Sequence, residues 1–328
     1  MKKCVIIYNK KSGKVKPKQL IGMFYDVVEK YDYELNVITT KKPGDATEKV
    51  KALPDDIDLV IAAGGDGTFD EVINGNMQRK KKLLLAQLPL GTTNDIGAMF
   101  GLTQNYKRDL EIILEGMVKN IDIIMMNGRP FVYVAAFGNF INISFDTPKK
   151  WKEIFGRLAY FLFGFTEMYQ RIRMNKIKYK VNGKEKEGEF SFVFITNSSR
   201  IGGVDGVYPD MKLDDSKFEV LLCNLKTKPD ILKALVYAKN NGVKNVPGCE
   251  YYSTDKLEIE FDHIPKHSWG LDGEEYKSKT NKYTFTVDKS IEVLIPNKKS
   301  VKMLFVDKEW LFNNLSFFDI IIMVVIWF

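Results

Sequence analysis

The sequence predicts an α/β domain followed by a mainly β domain. Over about the first 127 residues, apolar runs alternate with helical segments, which is typical of a parallel sheet with helices on both faces. Beyond that point most segments alternate apolar and polar residues and are joined by Gly, Asn and Lys turns, as in antiparallel sheets. The length of 328 residues is sufficient for two such domains.

The first part of the chain contains four predicted strand–helix pairs. Each strand is an apolar run of five to eight residues, and the segment after it has helical spacing of apolar residues. In chain order the segments are CVIIY, KQLIGMFYDVVEKY, YELNVITT, DATEKVKAL, DLVIAA, EVINGNMQ, LLLAQLPL and LEIILEGMVK. We expect the helix EVINGNMQ to begin near Glu71, with Thr68 or Asp70 as its N-cap.

The second part predicts strands interrupted by two helical segments. The expected strands are FVYVAAFG, KIKYKVNGKEKEGEFSFVFITN, KFEVLLCNL, KLEIEF and KYTFTVDKSIEVLIP. The stretch KVNGKEKEG predicts a hairpin, because Asn-Gly is a favoured two-residue turn. The helical segments are KKWKEIFGRLAYFLFGFTEMYQRI and KPDILKALVYAKN.

A glycine-rich stretch, AAGGDGTFDEVINGN at residues 62–76, follows the third predicted strand. Strand, glycine turn and helix N-terminus together are typical of a phosphate site, because the backbone N–H groups and the helix dipole attract anions. A plain strand-to-helix turn is the alternative. Asp66 would repel phosphate unless a cation lay between them, which indicates Mg²⁺. NKKSG, GGDGT and GTTND all follow predicted strands, so we expect them at one edge of the sheet.

Composition leaves several kinds of partner open. A net charge of +7 is compatible with nucleic acid, an anionic membrane, a phosphorylated substrate or a solvated surface. Three scattered cysteines predict no disulfide framework and fit a reducing cytosol. The apolar C-terminal run is interrupted by Asn313, Asn314 and Asp319, so the rest is too short to span a bilayer. An interfacial anchor, a packed segment and an atypical chain end remain open.

Three motifs resemble the catalytic motifs of the diacylglycerol kinase family, most closely those of its soluble bacterial branch. They are GGDGTFDEVINGN, LPLGTTNDIGAMFGL and WGLDGEEY, in that order, and the likeness extends to about residue 297. The resemblance implies a three-layer α/β nucleotide-binding domain (1–127) and a β-sandwich-like lipid-substrate domain (128–297). The active site would lie in the cleft between them. A segment near 298–315 would return to the first domain, and 316–328 would be an apolar tail of unassigned role.

The resemblance also implies the chemistry, namely Mg²⁺-dependent transfer of the γ-phosphate of ATP to diacylglycerol to give phosphatidic acid. Glu274 would be the general base, and Asp272 would join a magnesium network with Asp66, Asp95 and Asp122. Taken alone, LDGE is more typical of an ordinary Asp-Gly turn between strands. The residues expected at the nucleotide are Asn9, Lys10, Lys11, Ser12, Gly13, Thr40, Gly64, Gly65, Asp66, Gly67, Thr68 and Thr92.

KLDDSKF resembles a second, structural magnesium site of the same family. Asp215 would bind the ion with its carboxylate, and Lys212 and Lys217 with their backbone carbonyls, whereas a surface turn is the alternative. Two residues depart from the family pattern: Asp70 stands where Asn is usual, and Ser216 stands where Gly is usual. The departures add charge near the nucleotide and alter a loop, but they remove no proposed catalytic carboxylate.

The expected location is the cytoplasm, at the inner face of the membrane. KKWKEIFGRLAYFLFGF mixes basic and aromatic residues, so it would suit an anionic membrane surface, with a buried helix as the alternative. Relatives suggest a homodimer, and we expect no nucleic-acid partner. Two other functions remain open: the same transfer to phosphatidylglycerol, a sphingoid base or NAD, and a non-catalytic nucleotide- or nucleic-acid-binding protein.

Overall fold

The computed structural model describes residues 1–13, 15–92, 94–138, 172–201, 204–205, 208, 210–296 and 298–306. The basic and aromatic segment expected at the membrane and the tail 316–328 fall outside these residues. Within the described part of the chain, no helix is long and apolar enough to cross a membrane.

The N-terminal part alternates strands and helices as the sequence predicts. Its strands are parallel, in the order β2-β1-β3-β4, so that their carboxyl ends meet at one edge of the sheet. The elements are β1 (Lys2–Asn9), α1 (Pro17–Val28), β2 (Tyr33–Thr40), α2 (Asp45–Lys51), β3 (Leu59–Gly64), α3 (Asp66–Met77), β4 (Leu84–Pro89), α4 (Asp95–Met99) and α5 (Tyr106–Leu114).

The first part is a three-layer α/β domain, as expected. Successive side chains of β1 point to opposite faces of the sheet, and each face has its own core. Val5 and Ile7 pack with Val72 of α3, whereas Ile6 packs with Phe24 of α1 on the other face. Helices therefore cover both faces of the parallel sheet.

The predicted start of α3 was wrong. The helix begins at Asp66 rather than near Glu71, and its N-cap is Gly65, with no side-chain cap from Thr68 or Asp70. The chain turns into the helix this early because the Asp66 carboxylate is anchored by backbone N–H groups at the start of α4.

The predicted helix LEIILEGMVK also ends early, because α5 stops at Leu114 and the next strand begins at Met117. A Cβ on Gly116 would lie 2.8 Å from the carbonyl oxygen of Ile113 and 3.0 Å from that of Ile295. The backbone is therefore packed closely where the chain changes from helix to strand.

The second part is mainly β, as predicted. The predicted hairpin is present, with Asn182 and Gly183 both at positive φ in its turn. The elements are β5 (Met117–Met126), β6 (Arg129–Phe131), β7 (Val134–Gly138), β8 (Asn175–Val181), β9 (Lys184–Phe190), β10 (Phe192–Thr196), β11 (Arg200–Ile201), β12 (Val204–Asp205), β13 (Phe218–Cys223), α6 (Lys228–Asn241), β14 (Cys249–Thr254), β15 (Lys256–Phe261), β16 (Trp269–Leu271), β17 (Glu274–Tyr276), β18 (Lys282–Ile295) and α7 (Lys298–Leu304).

Strand β18 connects the two parts. Within the described residues, one ten-stranded sheet runs β2-β1-β3-β4-β18-β15-β8-β9, and β5 pairs with β18 and with β6. The end of β18 lies beside β4, with Val293 opposite Leu85, and its beginning pairs with β15. The first sheet therefore continues without a break into the second part.

A six-stranded sheet, β14-β13-β10-β7-β16-β17, packs on the second half of the long sheet. The core between the two sheets is aromatic. The Trp269 ring lies 5.1 Å from the Phe137 ring and 5.4 Å from the Phe285 ring, measured between centroids. The expected sandwich-like architecture is confirmed.

Candidate active site

A cleft of about 280 Å³ lies at the carboxyl ends of β1, β2 and β3. Its lining includes Glu274, so it joins the first part of the chain to the second. Of the predicted nucleotide residues it contains Asn9, Lys11, Ser12, Thr40, Gly65, Gly67 and Thr68, together with Lys41, Lys42, Pro43, Ala46 and Glu71. Lys10, Gly13, Gly64, Asp66 and Thr92 are outside this lining, and their nucleotide contacts stay predictions.

A larger depression, of about 610 Å³, lies on the outer face of β8, β15 and β18. Its walls carry alternating lysine and glutamate side chains, such as Lys180 and Glu258, which are usual on the solvated face of a sheet. We place the candidate site in the smaller cleft, because the sequence motifs converge there.

The glycines of the first motif bring two backbone turns together. A Cβ on Gly91 would lie 2.7 Å from the Cα of Gly65, so the turn at Gly91 has no room for a side chain at this contact. A Cβ on Gly64 would lie 2.3 Å from the Oγ1 of Thr68. Gly65 and Gly67 line the cleft, so at these two positions the backbone faces the cleft without a side chain in front of it.

The N-terminus of α3 is open toward the cleft. Its N-cap has no side-chain hydrogen bond, and Gly65, Gly67 and Thr68 all line the cleft. Asn9 fixes the neighbouring loop, because its amide donates to Thr68 Oγ1 at 3.2 Å and its Oδ1 accepts the N–H of Lys11 at 3.0 Å. A helix N-terminus with a lysine beside it is suited to bind phosphate.

Glu71 holds the opposite wall of the cleft. One carboxylate oxygen accepts the N–H of Gly44 at 2.8 Å, and the other accepts the N–H of Ala46 at 3.0 Å. The Thr47 hydroxyl donates to the Glu71 carbonyl at 2.9 Å. Glu71 therefore caps the start of α2 and fixes the loop that follows Thr40.

Asp66 is anchored by three donors. Its Oδ2 accepts the N–H of Asp95 at 2.9 Å, and its Oδ1 accepts the N–H of Ile96 and the amide of Gln87, each at 3.2 Å. Burial raises the pKa of Asp66 to about 6. The carboxylate connects the starts of α3 and α4 under the cleft.

Asp95 continues this network into the second part. Tyr133 donates its hydroxyl hydrogen to Oδ2, and the Arg200 Nε donates to Oδ1 at 3.0 Å. The Asp95 side chain is buried, and that of Arg200 is nearly so. This ion pair therefore joins α4 of the first domain to β11 of the second.

Asp272 and Glu274 sit on a two-residue hairpin turn. Asp272 and Gly273, at φ 49° and 87°, connect β16 to β17, so LDGE is an Asp-Gly turn in its geometry. The Asp272 carboxylate is buried and accepts the N–H groups of Val132, Tyr133 and Val134 at 2.7–2.9 Å. The turn thereby fixes the direction of Glu274.

Asp272 also contacts Asp70, and the two buried carboxyls form a hydrogen-bonded pair. Burial and the nearby Asp272 charge raise the pKa of Asp70 well above its usual range, and burial also raises that of Asp272. Two carboxyls in contact cannot both be ionised cheaply, so one proton stays between them. Arg129 lies 3.7 Å from Asp70 Oδ2, and Asn74 donates to Asp70 Oδ1 at 3.1 Å.

The Glu274 carboxylate reaches the glycine turn. A Cβ on Gly67 would lie 3.5 Å from Glu274 Oε1. Glu274 lies at the exposed rim of the cleft. Its pKa is raised, mainly because the surrounding protein desolvates the carboxylate and secondly because Glu71 carries a negative charge nearby. The Arg129 guanidinium, which stacks 5.5 Å from the centre of the Tyr276 ring, partly offsets this increase.

Asp122 is held by the loop that carries the second predicted magnesium site. Its Oδ2 accepts the N–H of Ser216 at 2.5 Å, and Asp215 Oδ1 accepts the N–H of Lys217 at 3.0 Å. The same loop reaches α7, since the Lys212 ammonium donates to the Met303 carbonyl at 2.7 Å. The structural magnesium site itself stays a prediction.

The donor set fits a magnesium ion held partly through water. Among the described residues, no three His, Cys, Asp or Glu side chains are grouped as a direct metal cage. Magnesium retains several waters and needs only one or two carboxylates beside substrate phosphates. The Asp66 carboxylate has about four acceptor positions, of which protein donors occupy three, so one position on Oδ2 is left for a water-mediated contact.

Sequence reasoning missed five residues of this site. Gln87 had a detectable signal, because it is a polar residue inside an apolar strand and is buried. Glu71 lies within the first motif, but its role depends on the distant α2. Arg129, Tyr133 and Arg200 reach the site only through tertiary packing, and no local pattern marks them.

Comparisons with known proteins identify relatives of this chain. Residues 3–126 match the family model described as the diacylglycerol kinase catalytic domain. Two proteins named diacylglycerol kinase, from Staphylococcus aureus strains bovine RF122 / ET3-1 and MRSA252, are each 31% identical over 297 residues, which covers 90% of this chain and 93% of theirs.

Solved structures are similar in fold. A structure described as a diacylglycerol kinase from Bacillus anthracis str. Sterne has a TM-score of 0.75 at 22% identity and covers 91% of this chain and 98% of its own. Another structure from the same organism has a TM-score of 0.78, also at 22% identity. The match covers 92% of this chain and 97% of the other.

Proposed function

The chain belongs to the diacylglycerol kinase family, and from that premise we propose that it transfers the γ-phosphate of ATP to the free hydroxyl of diacylglycerol, giving phosphatidic acid. The observation that carries the proposal is the position of Glu274. This carboxylate comes from the second domain and lies against Gly67, at the N-terminus of α3 in the first domain. A base and a phosphate cradle therefore share one cleft.

The first domain would bind the nucleotide. Backbone N–H groups at the start of α3 would hold the phosphates, because no side chain caps that end of the helix. Lys11, whose N–H is fixed by Asn9, would add positive charge at the mouth of the cleft. Thr40 and the loop held by Glu71 form the opposite wall, where the rest of the nucleotide would lie.

A magnesium ion bound with ATP would neutralise charge on the phosphates. Asp66 is the residue we assign to this ion, with Asp95, Asp122 and Asp272 supporting the site. Asp95 and Asp272 are themselves fixed by donors from the second domain, which keeps them in place.

Glu274 would act as the general base. In the transfer the lipid hydroxyl oxygen forms a bond to the γ-phosphorus, the bond from that phosphorus to the β-phosphate oxygen breaks, and the hydroxyl proton passes to Glu274. A raised pKa suits this role, because a base is most effective when its pKa lies near the working pH. The chain would act in the cytoplasm at the inner face of the membrane, where diacylglycerol is located.

The acceptor is tested by transfer of labelled γ-phosphate from ATP in mixed micelles. Diacylglycerol, phosphatidylglycerol, sphingosine and NAD would be offered separately, with Mg²⁺ present or chelated. We expect labelled phosphatidic acid from diacylglycerol, and no product after chelation. Transfer only to another of these acceptors would retain the phosphoryl chemistry and reject diacylglycerol as the substrate. Folded protein that transfers to none of them would reject the proposed function.

A further inference from the structure

Two of the three cysteines face each other across neighbouring strands. Cys223 ends β13 and Cys249 begins β14, and the strand register pairs them directly. The third cysteine, Cys4, is buried in β1 of the other domain. The chain thus contains one cysteine pair and one separate thiol that serves as an internal control.

The pair occupies a non-hydrogen-bonded position of the antiparallel ladder. One step along, Asn224 lies opposite Gly248, and its N–H donates to the Gly248 carbonyl at 2.7 Å. Hydrogen-bonded and non-hydrogen-bonded pairs alternate along such strands, so Cys223 and Cys249 form a non-hydrogen-bonded pair. The Cα atoms of such pairs lie about 4.5 Å apart, and disulfides span Cα separations of about 4.4–6.8 Å. The Cα separation typical of this pair type therefore falls within the range that a disulfide spans.

The two thiols differ in exposure. Cys223 is 3% exposed, whereas Cys249 on the edge strand is only half-buried. A hydrogen bond between the thiols raises the pKa of Cys223 and lowers that of Cys249. A reagent in solution therefore meets Cys249 first, with the Cys223 sulfur directly behind it.

We propose that Cys223 and Cys249 form a reversible disulfide when the folded protein meets a low-molecular-weight disulfide such as oxidised glutathione. The Cys249 thiolate attacks one sulfur of the reagent, which forms a mixed disulfide and releases one small thiol. Cys223 then loses its proton and attacks the Cys249 sulfur, which breaks the mixed disulfide and releases the second small thiol. Two protein thiols are oxidised while one small disulfide is reduced to two thiols.

The bridge would close a loop that contains α6. The segment between the two cysteines includes this helix and the turn at Val246, whose carbonyl accepts the Cys249 N–H at 3.0 Å. Closing a loop restricts the unfolded chain, so the oxidised protein should melt at a higher temperature than the reduced protein. The inference concerns this thiol pair alone and does not depend on the proposed lipid kinase activity.

The test uses the full chain, freed of reductant and incubated with oxidised glutathione. Free thiols are counted after denaturation, and the oxidised cysteines are located by mass spectrometry of proteolytic peptides. We expect the count to fall from three to one, with Cys223 joined to Cys249 and Cys4 still free. Reducing agent should restore all three thiols.

Three variants test whether Cys249 reacts first and Cys223 second, and whether Cys4 takes part. Cys4→Ser should form the same disulfide as the parent protein. Cys223→Ser should accumulate a stable glutathione adduct on Cys249, because the second thiol is missing. Cys249→Ser should remain unmodified, because Cys223 is buried. Reaction at Cys4 in preference to the pair, or a Cys223–Cys249 disulfide in the parent only after unfolding, would overturn the proposal.

Discussion

Among single residues, Asp272 and Gly273 form a hairpin turn that also positions Glu274, the residue proposed as the base. Asp272 and Gly273 adopt the positive φ angles of a two-residue turn, which is the ordinary structural use of an Asp-Gly pair. The same Asp272 carboxylate is buried against three backbone N–H groups, and Glu274 follows at the cleft. LDGE can therefore be an ordinary Asp-Gly turn and also supply the residues proposed for the site.

Asp70 binds its proton more tightly in the folded protein than in the unfolded chain. In the folded protein its raised pKa keeps a proton that the unfolded chain releases around its ordinary pKa of 3.8. Its contribution to stability is thus full below that pKa and declines as pH rises toward the raised value. We expect Asp70→Asn to increase the free energy of unfolding by about 1–3 kcal/mol at pH 8, and by less at pH 5, because an amide needs no proton.

Urea denaturation of the parent protein and of Asp70→Asn at pH 5 and pH 8 measures this difference in the free energy of unfolding. Asp26→Asn, on the exposed face of α1, is the matched control and should leave the pH dependence unchanged. A variant at position 70 that is less stable than the parent at both pH values would contradict the shared proton.

Ser216 has a backbone conformation that favours glycine. Its φ is 63°, in the left-handed region, while its N–H donates to Asp122. A side chain in that region costs about 1 kcal/mol, so Ser216→Gly should raise the melting temperature. Ser216→Ala, which keeps the Cβ and removes the hydroxyl, is the control and should melt near the parent temperature. Equal melting temperatures for the glycine and alanine variants would show that the backbone is not strained here.

At the scale of elements, α2 is oriented by a side chain of α3. The two carboxylate oxygens of Glu71 accept hydrogen bonds from the N–H groups of Gly44 and Ala46 at the start of α2. No side chain caps the start of α3, so its N–H groups are open to a ligand. The two neighbouring helix N-termini thus have different roles, and only that of α3 is available for phosphate.

Removing the Glu71 carboxylate should therefore weaken nucleotide binding. We expect Glu71→Ala to raise the KM for ATP by about 5–30-fold, which corresponds to one or two kcal/mol, with a smaller change in kcat. Glu48→Ala, on the exposed face of α2, should leave the KM unchanged. Steady-state kinetics with ATP varied at saturating diacylglycerol gives both parameters. An unaltered KM in the Glu71 variant would mean that the loop does not contact the nucleotide.

The sequence predicted elements well where the pattern is local. Buried strands such as DLVIAA and the Asn182-Gly183 hairpin are specified by neighbouring residues, and the structure confirms them. Helix bounds were less certain, because the start of α3 depends on the contact between Asp66 and α4, and the end of α5 depends on the packing of Gly116 against Ile295. Such contacts are set by tertiary packing and leave no local pattern.

At the scale of the whole molecule, β18 and the buried pair Arg200–Asp95 connect the two domains. The partners are 105 residues apart in sequence, which explains why sequence reasoning identified Asp95 but not Arg200. The cleft is built from both domains, because Glu274 comes from one and the glycine turn from the other. The geometry of the cleft thus depends on the contacts that hold the two domains together.

Breaking the pair should destabilise the protein strongly. We expect Arg200→Met to lower the free energy of unfolding by about 3–5 kcal/mol, because it removes one partner of a buried ion pair with Asp95. Arg200→Lys should recover part of the loss. Lys244→Met, which removes the exposed pair with Asp210, should cost less than about 1 kcal/mol. The free energy of unfolding is measured by urea denaturation. Equal decreases in the Arg200→Met and Lys244→Met variants would show that the buried Arg200 pair stabilises the protein no more than an exposed pair does.

Glu274 is proposed to accept the proton of the lipid hydroxyl, and substitutions at two neighbouring glutamates test this role. Glu275 lies on the same strand, accepts a hydrogen bond from the Ser268 hydroxyl at 2.7 Å, and is outside the cleft lining. The measurement is kcat for labelled phosphate transfer from ATP to diacylglycerol, with ATP binding measured in parallel. We expect Glu274→Gln to lose about 10²–10⁴-fold in kcat while still binding ATP, and Glu275→Gln to behave like the parent. A folded Glu274→Gln variant with the parent kcat would contradict the assignment.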